Sequence, residues 1–119
     1  MERLRISTST ELVRIPTDDI MFVRAQGNYS EVYLNNGRLR TLGLQLGKLD
    51  EMFRLLKNNF FVRVGKSLIV NRNYVYLINL TTEELQLYCT QLDKPFSLSP
   101  SRDSLKALKA LMEQEGDNA

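Results

Sequence analysis

Apolar residues in this chain follow a strand period over most of its length, and this constrains the fold more than any other feature. Ile20–Val23 is a continuous apolar run, which predicts a strand buried on both faces. Tyr29–Leu34 alternates between two faces. Asn35-Asn36-Gly37 then predicts a hairpin, because Asn and Gly tolerate positive φ, and Arg38–Leu42 is the returning strand.

One internal segment breaks the strand period with helical spacing. Its apolar residues share one face of a helix, and they are Leu46, Leu49, Phe53 and Leu56. Asn58-Asn59 is predicted to end this helix, which is short enough to need tertiary packing. Short strands then resume between Phe60 and Leu98.

A second helix is predicted to begin near Ser99 or Ser101. Ser99 is a suitable N-cap and Pro100 suits a first helical position. The predicted fold is mostly β, an antiparallel multi-strand architecture with one short internal helix and a C-terminal helix. We expect residues 13–115 to form one domain, 1–12 to be an N-terminal extension or first strand, and 116–119 to be a frayed tail.

The composition argues against an enzyme. The chain has no histidine and one cysteine, so it lacks a Ser-His-Asp triad and the common zinc sites. It contains neither a GxxxxGK[ST] loop nor a GxGxxG motif. The acidic pairs Asp18-Asp19 and Glu83-Glu84 are typical of solvated turns. We therefore predict a protein that is not an enzyme and needs no cofactor or metal.

Several features predict a cytoplasmic protein without a membrane segment. No apolar run approaches the roughly 20 residues that span a bilayer. The charged N-terminus, Met1–Arg5, has no apolar run behind it, so it does not resemble a signal peptide. The single Cys89 cannot form an internal disulfide, which fits a reducing compartment.

The distribution of charge is more informative than its sum, which is only +2. Acidic residues are absent between Phe61 and Asn73, whereas Arg63, Lys66 and Arg72 fall within that segment. This local imbalance predicts a positive face on a nearly neutral protein, although the net charge by itself does not indicate a nucleic-acid partner.

Four segments, taken in order, resemble a known family. Phe60–Asn71, with the sequence FFVRVGKSLIVN, resembles the signature of LytTR-type DNA-binding domains. Asp18–Val23, Gly27-Asn28-Tyr29 and Ser101-Arg102 resemble three further motifs of that family. The resemblance extends from about Val13 to Leu111, nearly the whole chain. One departure is Gly65-Lys66, where family members often carry His or Asn.

The resemblance implies a fold and a function. LytTR domains are bacterial antiparallel β domains that bind promoter DNA through loops rather than a recognition helix. They are usually output domains of response regulators in two-component signalling. The implied partners are therefore double-stranded promoter DNA, a second copy on paired repeats, and a receiver domain or sensor protein.

Lys66 and Arg102 are the leading candidate contacts with DNA. Lys66 lies in the loop that the family turns toward a groove, where an ammonium can pair with a phosphate or with guanine O6 and N7. The alternative is a solvated loop lysine. Arg102 falls in the first turn of a helix, which typically costs about 0.3–1 kcal/mol and which a bound phosphate would offset. The alternative is that Arg102 is only a solvated arginine without a role in binding.

Five further residues are candidate contacts. Asn28 can bind adenine N6 and N7, with Tyr29 beside it, although the two residues are equally well explained by a turn and by strand packing. Arg63 and Arg72 are predicted phosphate contacts. Ser67 donates to a phosphate or caps its own loop.

The alternative function is that of a protein-interaction module in a bacterial signalling system. Such a domain keeps the fold without DNA binding, and it docks a partner through an exposed strand edge. The small net charge is compatible with this alternative.

Overall fold

The order of strands and helices follows the hydrophobic periods of the sequence. The computed structural model describes residues 1–115, so the predicted frayed tail lies outside the described residues. Within these residues the strands are β1 Arg3–Ser7, β2 Leu12–Pro16, β3 Ile20–Gln26, β4 Tyr29–Leu34, β5 Leu39–Leu42, β6 Phe61–Val64, β7 Leu68–Asn71, β8 Val75–Asn79, β9 Glu84–Leu87 and β10 Phe96–Leu98. The helices are α1 Leu46–Arg54 and α2 Arg102–Gln114.

The strands form antiparallel sheets around one central sheet. Five strands make up that sheet in the order β5-β4-β3-β7-β6. β1 pairs with β2, and β8, β9 and β10 form a three-stranded sheet with β9 in the middle. The predicted fold class, mostly β and antiparallel with two helices, is confirmed.

β3 is the middle strand of the central sheet, and both of its faces are covered. Val23 packs on one face in a cluster that includes α1 and the β1–β2 pair. Phe22 packs on the other face in a cluster that includes α2 and the three-stranded sheet. Each residue of Ile20–Val23 is at most 1% exposed. The continuous apolar run of the sequence is therefore explained, because Ile20 and Val23 enter the first core, whereas Met21 and Phe22 enter the second. The two adjacent residues share one core because the pairing of β3 with β4 is irregular between Ile20 and Phe22.

α1 is shorter than its apolar spacing predicts. It ends at Arg54 rather than at Asn58, and the prediction of its C-terminus is wrong. Leu56 keeps its place against the first core although it has left the helix, whereas Leu55 is 86% exposed. The spacing of apolar residues continued past the helix because a turn can place a side chain on the same core.

The first strand is tied to the segment that follows α1. The Glu2 carboxylate accepts hydrogen bonds from the backbone N–H groups of Lys57 at 2.6 Å and Asn58 at 3.0 Å. These bonds, that of Lys57 first, lower the pKa of Glu2. Leu4 and Ile6 of β1 are buried in the first core, so residues 3–7 form part of the folded unit.

α2 begins after Ser101, one of the two predicted starting points. The Ser101 hydroxyl accepts a hydrogen bond from the Ser104 N–H at 3.2 Å, as an N-cap does. The alternative with Ser99 as the cap is wrong. Leu105 and Leu108 are buried, and they hold the helix on the second core. Arg102 is consequently the first residue of α2.

Candidate nucleic-acid interface

Two turns lie next to each other at one end of the central sheet. β4 and β7 both run antiparallel to β3 and flank it, so the β3–β4 turn and the β6–β7 turn meet where β3 ends. The Ala25 N–H donates to the Ser67 carbonyl at 2.9 Å and joins the two turns directly. The start of α2 approaches the same place. Residues 27–29, 65–67 and 99–102 therefore form the loop end of the sheet.

Gly65 allows the β6–β7 turn to approach α2 closely. Its φ of +69° lies in the left-handed region that glycine adopts without steric cost. A Cβ at this position would lie 3.0 Å from the Ser104 Oγ. Both the backbone conformation and the contact with the helix thus favour glycine at position 65.

An open cleft of ≈ 590 Å³ separates the β6–β7 turn from the start of α2. Two cationic side chains line it, those of Arg24 and Lys66. Hydroxyl groups of several serines also line it, and these are Ser67, Ser99, Ser101 and Ser104. The lining residues include no carboxylate within the described part of the chain. The lining of the cleft therefore carries two cations and several hydrogen-bond donors, and Glu31 pairs with Arg24 from outside the lining.

Lys66 projects from a turn that Arg63 holds in place. The Arg63 Nη2 donates to the Lys66 carbonyl at 2.8 Å, and its Nη1 lies 3.4 Å from the Asp50 Oδ2. Lys66 itself is exposed and forms no ion pair with residues 1–115. Arg63 is thus engaged in bracing the turn, while the Lys66 ammonium is free to meet a ligand.

Arg102 directly follows Ser101, which lines the cleft, but Arg102 is not itself a lining residue. It is exposed, and its one hydrogen bond within residues 1–115 is from Nη1 to the Leu80 carbonyl at 3.5 Å, the outer limit for such a bond. Like Lys66, it forms no ion pair in the described chain. Lys66 and Arg102 are therefore two cations at the loop end that no carboxylate of residues 1–115 pairs with.

Asn28 and Tyr29 lie at the same end of the sheet, in the neighbouring turn. Both are exposed, Tyr29 by 48%. The Asn28 Oδ1 accepts a hydrogen bond from the Gln45 Nε2 at 3.3 Å, which orients the amide. Tyr29 belongs to neither buried core, so its ring is available at the surface.

Arg72 is not brought together with the other predicted residues. β7 runs from Leu68 at the loop end to Asn71 at the opposite end, and Arg72 follows it there. Its Nη1 forms an ion pair with the Glu115 carboxylate, and its side chain is 18% exposed. Asn71 has a structural role, since its buried side chain donates to the Ile20 carbonyl at 3.0 Å.

Arg24 is a cation at the cleft that the sequence interpretation missed. Its guanidinium carbon lies 5.2 Å from the centre of the Tyr33 ring, and its side chain is 41% exposed. The signal in the sequence was a single charged residue directly after the apolar run of β3. A single charged residue on a strand is usually only a solvated side chain. The cleft beside Arg24 is formed by residues of β7 and α2, which are distant from it in the sequence.

Replacing Gly65 by alanine should destabilise the fold by about 1–2 kcal/mol, the cost of a left-handed conformation for a residue with a Cβ. Contact with Ser104 adds to this cost. Urea unfolding monitored by circular dichroism measures the loss. Gly43→Ala is the matched control, because its φ is not positive and its Cβ would meet no atom within 4 Å. Equal stability of the two variants would contradict this account of the turn.

An antiparallel β scaffold that presents exposed cations and hydroxyl groups at one end is an arrangement suited to binding an anionic partner. A family model, the LytTr DNA-binding domain, matches residues 10–113. The chain belongs to this family, as its four sequence motifs predicted. The family binds DNA for transcription regulation and is not a catalytic one, which agrees with the prediction of a non-enzyme.

Solved structures support the same fold. The chain is similar to the LytTr DNA-binding domain of a Bacillus cereus protein that is described as a methyl-accepting/DNA response regulator. The TM-score is 0.66 at 19% sequence identity, over 94% of this chain and 97% of that chain. A search of curated protein sequences finds no match. No helix among residues 1–115 is long and apolar enough to cross a membrane.

Proposed function

We propose that this domain binds double-stranded promoter DNA with sequence specificity through the loop end of the sheet. The observation that carries the proposal is the convergence of two turns and one helix start, which places Lys66, Arg102 and Asn28 at a single end of the molecule. Membership of a DNA-binding family supports it. Loops held on a rigid sheet are suited to this task, because the scaffold fixes their relative positions.

Each residue has a proposed role. Lys66 pairs with a phosphate or with guanine O6 and N7, and Arg102 pairs with a phosphate at the start of α2. Asn28 contacts adenine through its amide, with Tyr29 and Ser67 as further contacts. Arg63 contributes by holding the Lys66 turn. Arg72 is the least suited to this surface, because it lies at the other end of β7 in an ion pair.

We also propose a regulatory role for this domain in bacterial signalling. The similar Bacillus cereus domain comes from a protein that is described as a response regulator. By analogy, this domain acts in the bacterial cytoplasm as an output domain, under a receiver domain or sensor partner. A second copy of the domain on a paired repeat would read a longer DNA site.

A protein-interaction module is the second candidate, and one observation favours it. β5 is the outer strand of the central sheet, and residues 39–41 are all exposed. Leu39 is 47% exposed on this edge. A partner strand could pair there through main-chain hydrogen bonds. This candidate predicts no salt-dependent affinity for DNA.

Fluorescence anisotropy at two salt concentrations tests the proposal. The probe is a labelled duplex from upstream of the protein's own gene, and a scrambled duplex of the same composition is the control. We expect preference for the specific duplex, with a slope of log K against log salt that steepens by about 0.9 for each phosphate neutralised. Absence of binding at low salt would overturn the proposal in favour of the protein-interaction module.

A further inference from the structure

Arg24 lines the cleft, and its guanidinium keeps donors without a hydrogen-bond partner among residues 1–115. Its Nη2 donates to the Tyr33 hydroxyl at 2.6 Å and approaches the Glu31 Oε1 at 3.4 Å. Its Nη1 forms no hydrogen bond within residues 1–115, and its buried Nε likewise has no partner there. A buried donor without a partner is uncommon in folded proteins. The edge formed by Nε and Nη2 is therefore partly buried and bonded to Tyr33, and Nη1 is the nitrogen left to donate to a ligand.

The ion pair with Glu31 only partly compensates the charge of Arg24. A strong charge-assisted hydrogen bond between nitrogen and oxygen is about 2.7–2.9 Å long, and two such bonds form when an arginine pairs bidentately. Here one carboxylate oxygen lies at 3.4 Å, and the same oxygen accepts from the Gln26 Nε2 at 3.1 Å. Arg24 thus keeps positive charge to offer to a second anion.

The surroundings of Arg24 favour a phosphate. Lys66 lines the same cleft, so two like charges share it without a carboxylate among its lining residues. An anion between them would relieve their repulsion, and the planar guanidinium fits phosphate oxygens in a fork. Serine hydroxyls of the cleft are further donors of the kind that DNA-binding proteins direct to phosphates.

We propose that Arg24 is a further contact with DNA, binding a backbone phosphate that enters the cleft between the β6–β7 turn and the start of α2. Tyr33 and Glu31 orient the guanidinium, and Lys66 lies on the other side of the phosphate. This inference rests on the proposed function and deepens it, since it extends the interface from the loops onto the face of β3.

Salt-dependent binding of an Arg24→Gln variant tests the proposal. Loss of one phosphate contact should weaken binding about tenfold on the specific and scrambled duplexes alike, and should reduce the salt slope by about 0.9. Arg14→Gln is the matched control, because it removes the same charge from an exposed strand arginine that forms no ion pair in the described chain. β2 packs on the other face of the central sheet.

The outcomes separate this inference from the function on which it rests. If the wild-type protein binds neither duplex, the proposed function fails and the inference with it. The second outcome is that the wild type binds DNA and that Arg24→Gln has the same salt slope as the wild type and Arg14→Gln. In that case the proposed function stands, and only the inference about Arg24 is overturned. A salt slope that is reduced in Arg24→Gln but not in Arg14→Gln supports both the proposed function and the inference about Arg24.

A measurement on the wild-type protein covers the case in which Arg24→Gln does not fold. Arginine Nε–Hε groups give resolved cross-peaks in ¹H–¹⁵N NMR spectra. Saturation with the duplex should shift the Arg24 cross-peak and leave that of Arg14 in place. An Arg24 cross-peak that does not move would overturn the proposal.

Discussion

Lys66→Ala and Arg102→Ala should each weaken specific DNA binding by about tenfold or more, because a charged contact with a base or phosphate is worth roughly 1–3 kcal/mol. Neither variant should alter thermal unfolding, since both side chains are exposed and form no ion pair within residues 1–115. Anisotropy titrations on the specific and scrambled duplexes measure the affinity. Equal losses on both duplexes identify a phosphate contact, and loss on the specific duplex alone identifies a base contact.

Matched controls separate local contacts from a general loss of positive charge. Lys109→Ala removes a lysine that pairs with Glu113 on α2, and Arg14→Ala removes an exposed arginine of β2, which packs on the other face of the central sheet. Neither residue lies at the loop end. Affinity that falls equally in the controls and in the test variants would mean that binding is only electrostatic. Affinity like that of the wild type in both test variants would refute the assigned site.

The fold was predictable where local pattern and burial agree. The apolar run of β3 and the Asn-Gly hairpin are both encoded within a few neighbouring residues. Their positions in the structure match the prediction. The end of α1 was not predictable in this way, because Leu56 packs on the core from a turn and keeps the helical spacing. The division into separate sheets depends on contacts between distant residues, which the pattern of one strand does not contain.

The candidate site was predictable to the extent that each residue lies in a recognisable turn or cap. Lys66, Arg102 and Asn28 are of this kind. What the sequence did not contain was the charge partner of each arginine. Arg72 pairs with Glu115 from across the chain, whereas Arg24 meets the cleft because β7 and α2 are folded beside it. The sequence does not show whether a given arginine is paired with a carboxylate, because the partner is brought to it only by the tertiary structure.

Phe22→Ala should destabilise the domain by about 3–5 kcal/mol, as truncation of a buried phenylalanine does. Phe22 is 1% exposed in the second core. Its ring stacks on that of Tyr33 with centroids 4.3 Å apart, and Phe96 meets it edge-on at 5.4 Å. Domains of ordinary stability have about 5–15 kcal/mol in total, so this one substitution removes a large fraction. Urea unfolding monitored by circular dichroism measures it.

The effect of Phe22→Ala also tests how the core supports the interface. The same side of β3 carries Arg24, and Tyr33 contacts both side chains, so a cavity beneath Tyr33 should loosen the support of the guanidinium. DNA affinity should therefore fall even under conditions in which the variant is still folded. Leu55→Ala is the control, because that side chain is 86% exposed and should change stability by less than about 0.5 kcal/mol. If Phe22→Ala lost no more stability than Leu55→Ala, the second core would not depend on this aromatic cluster.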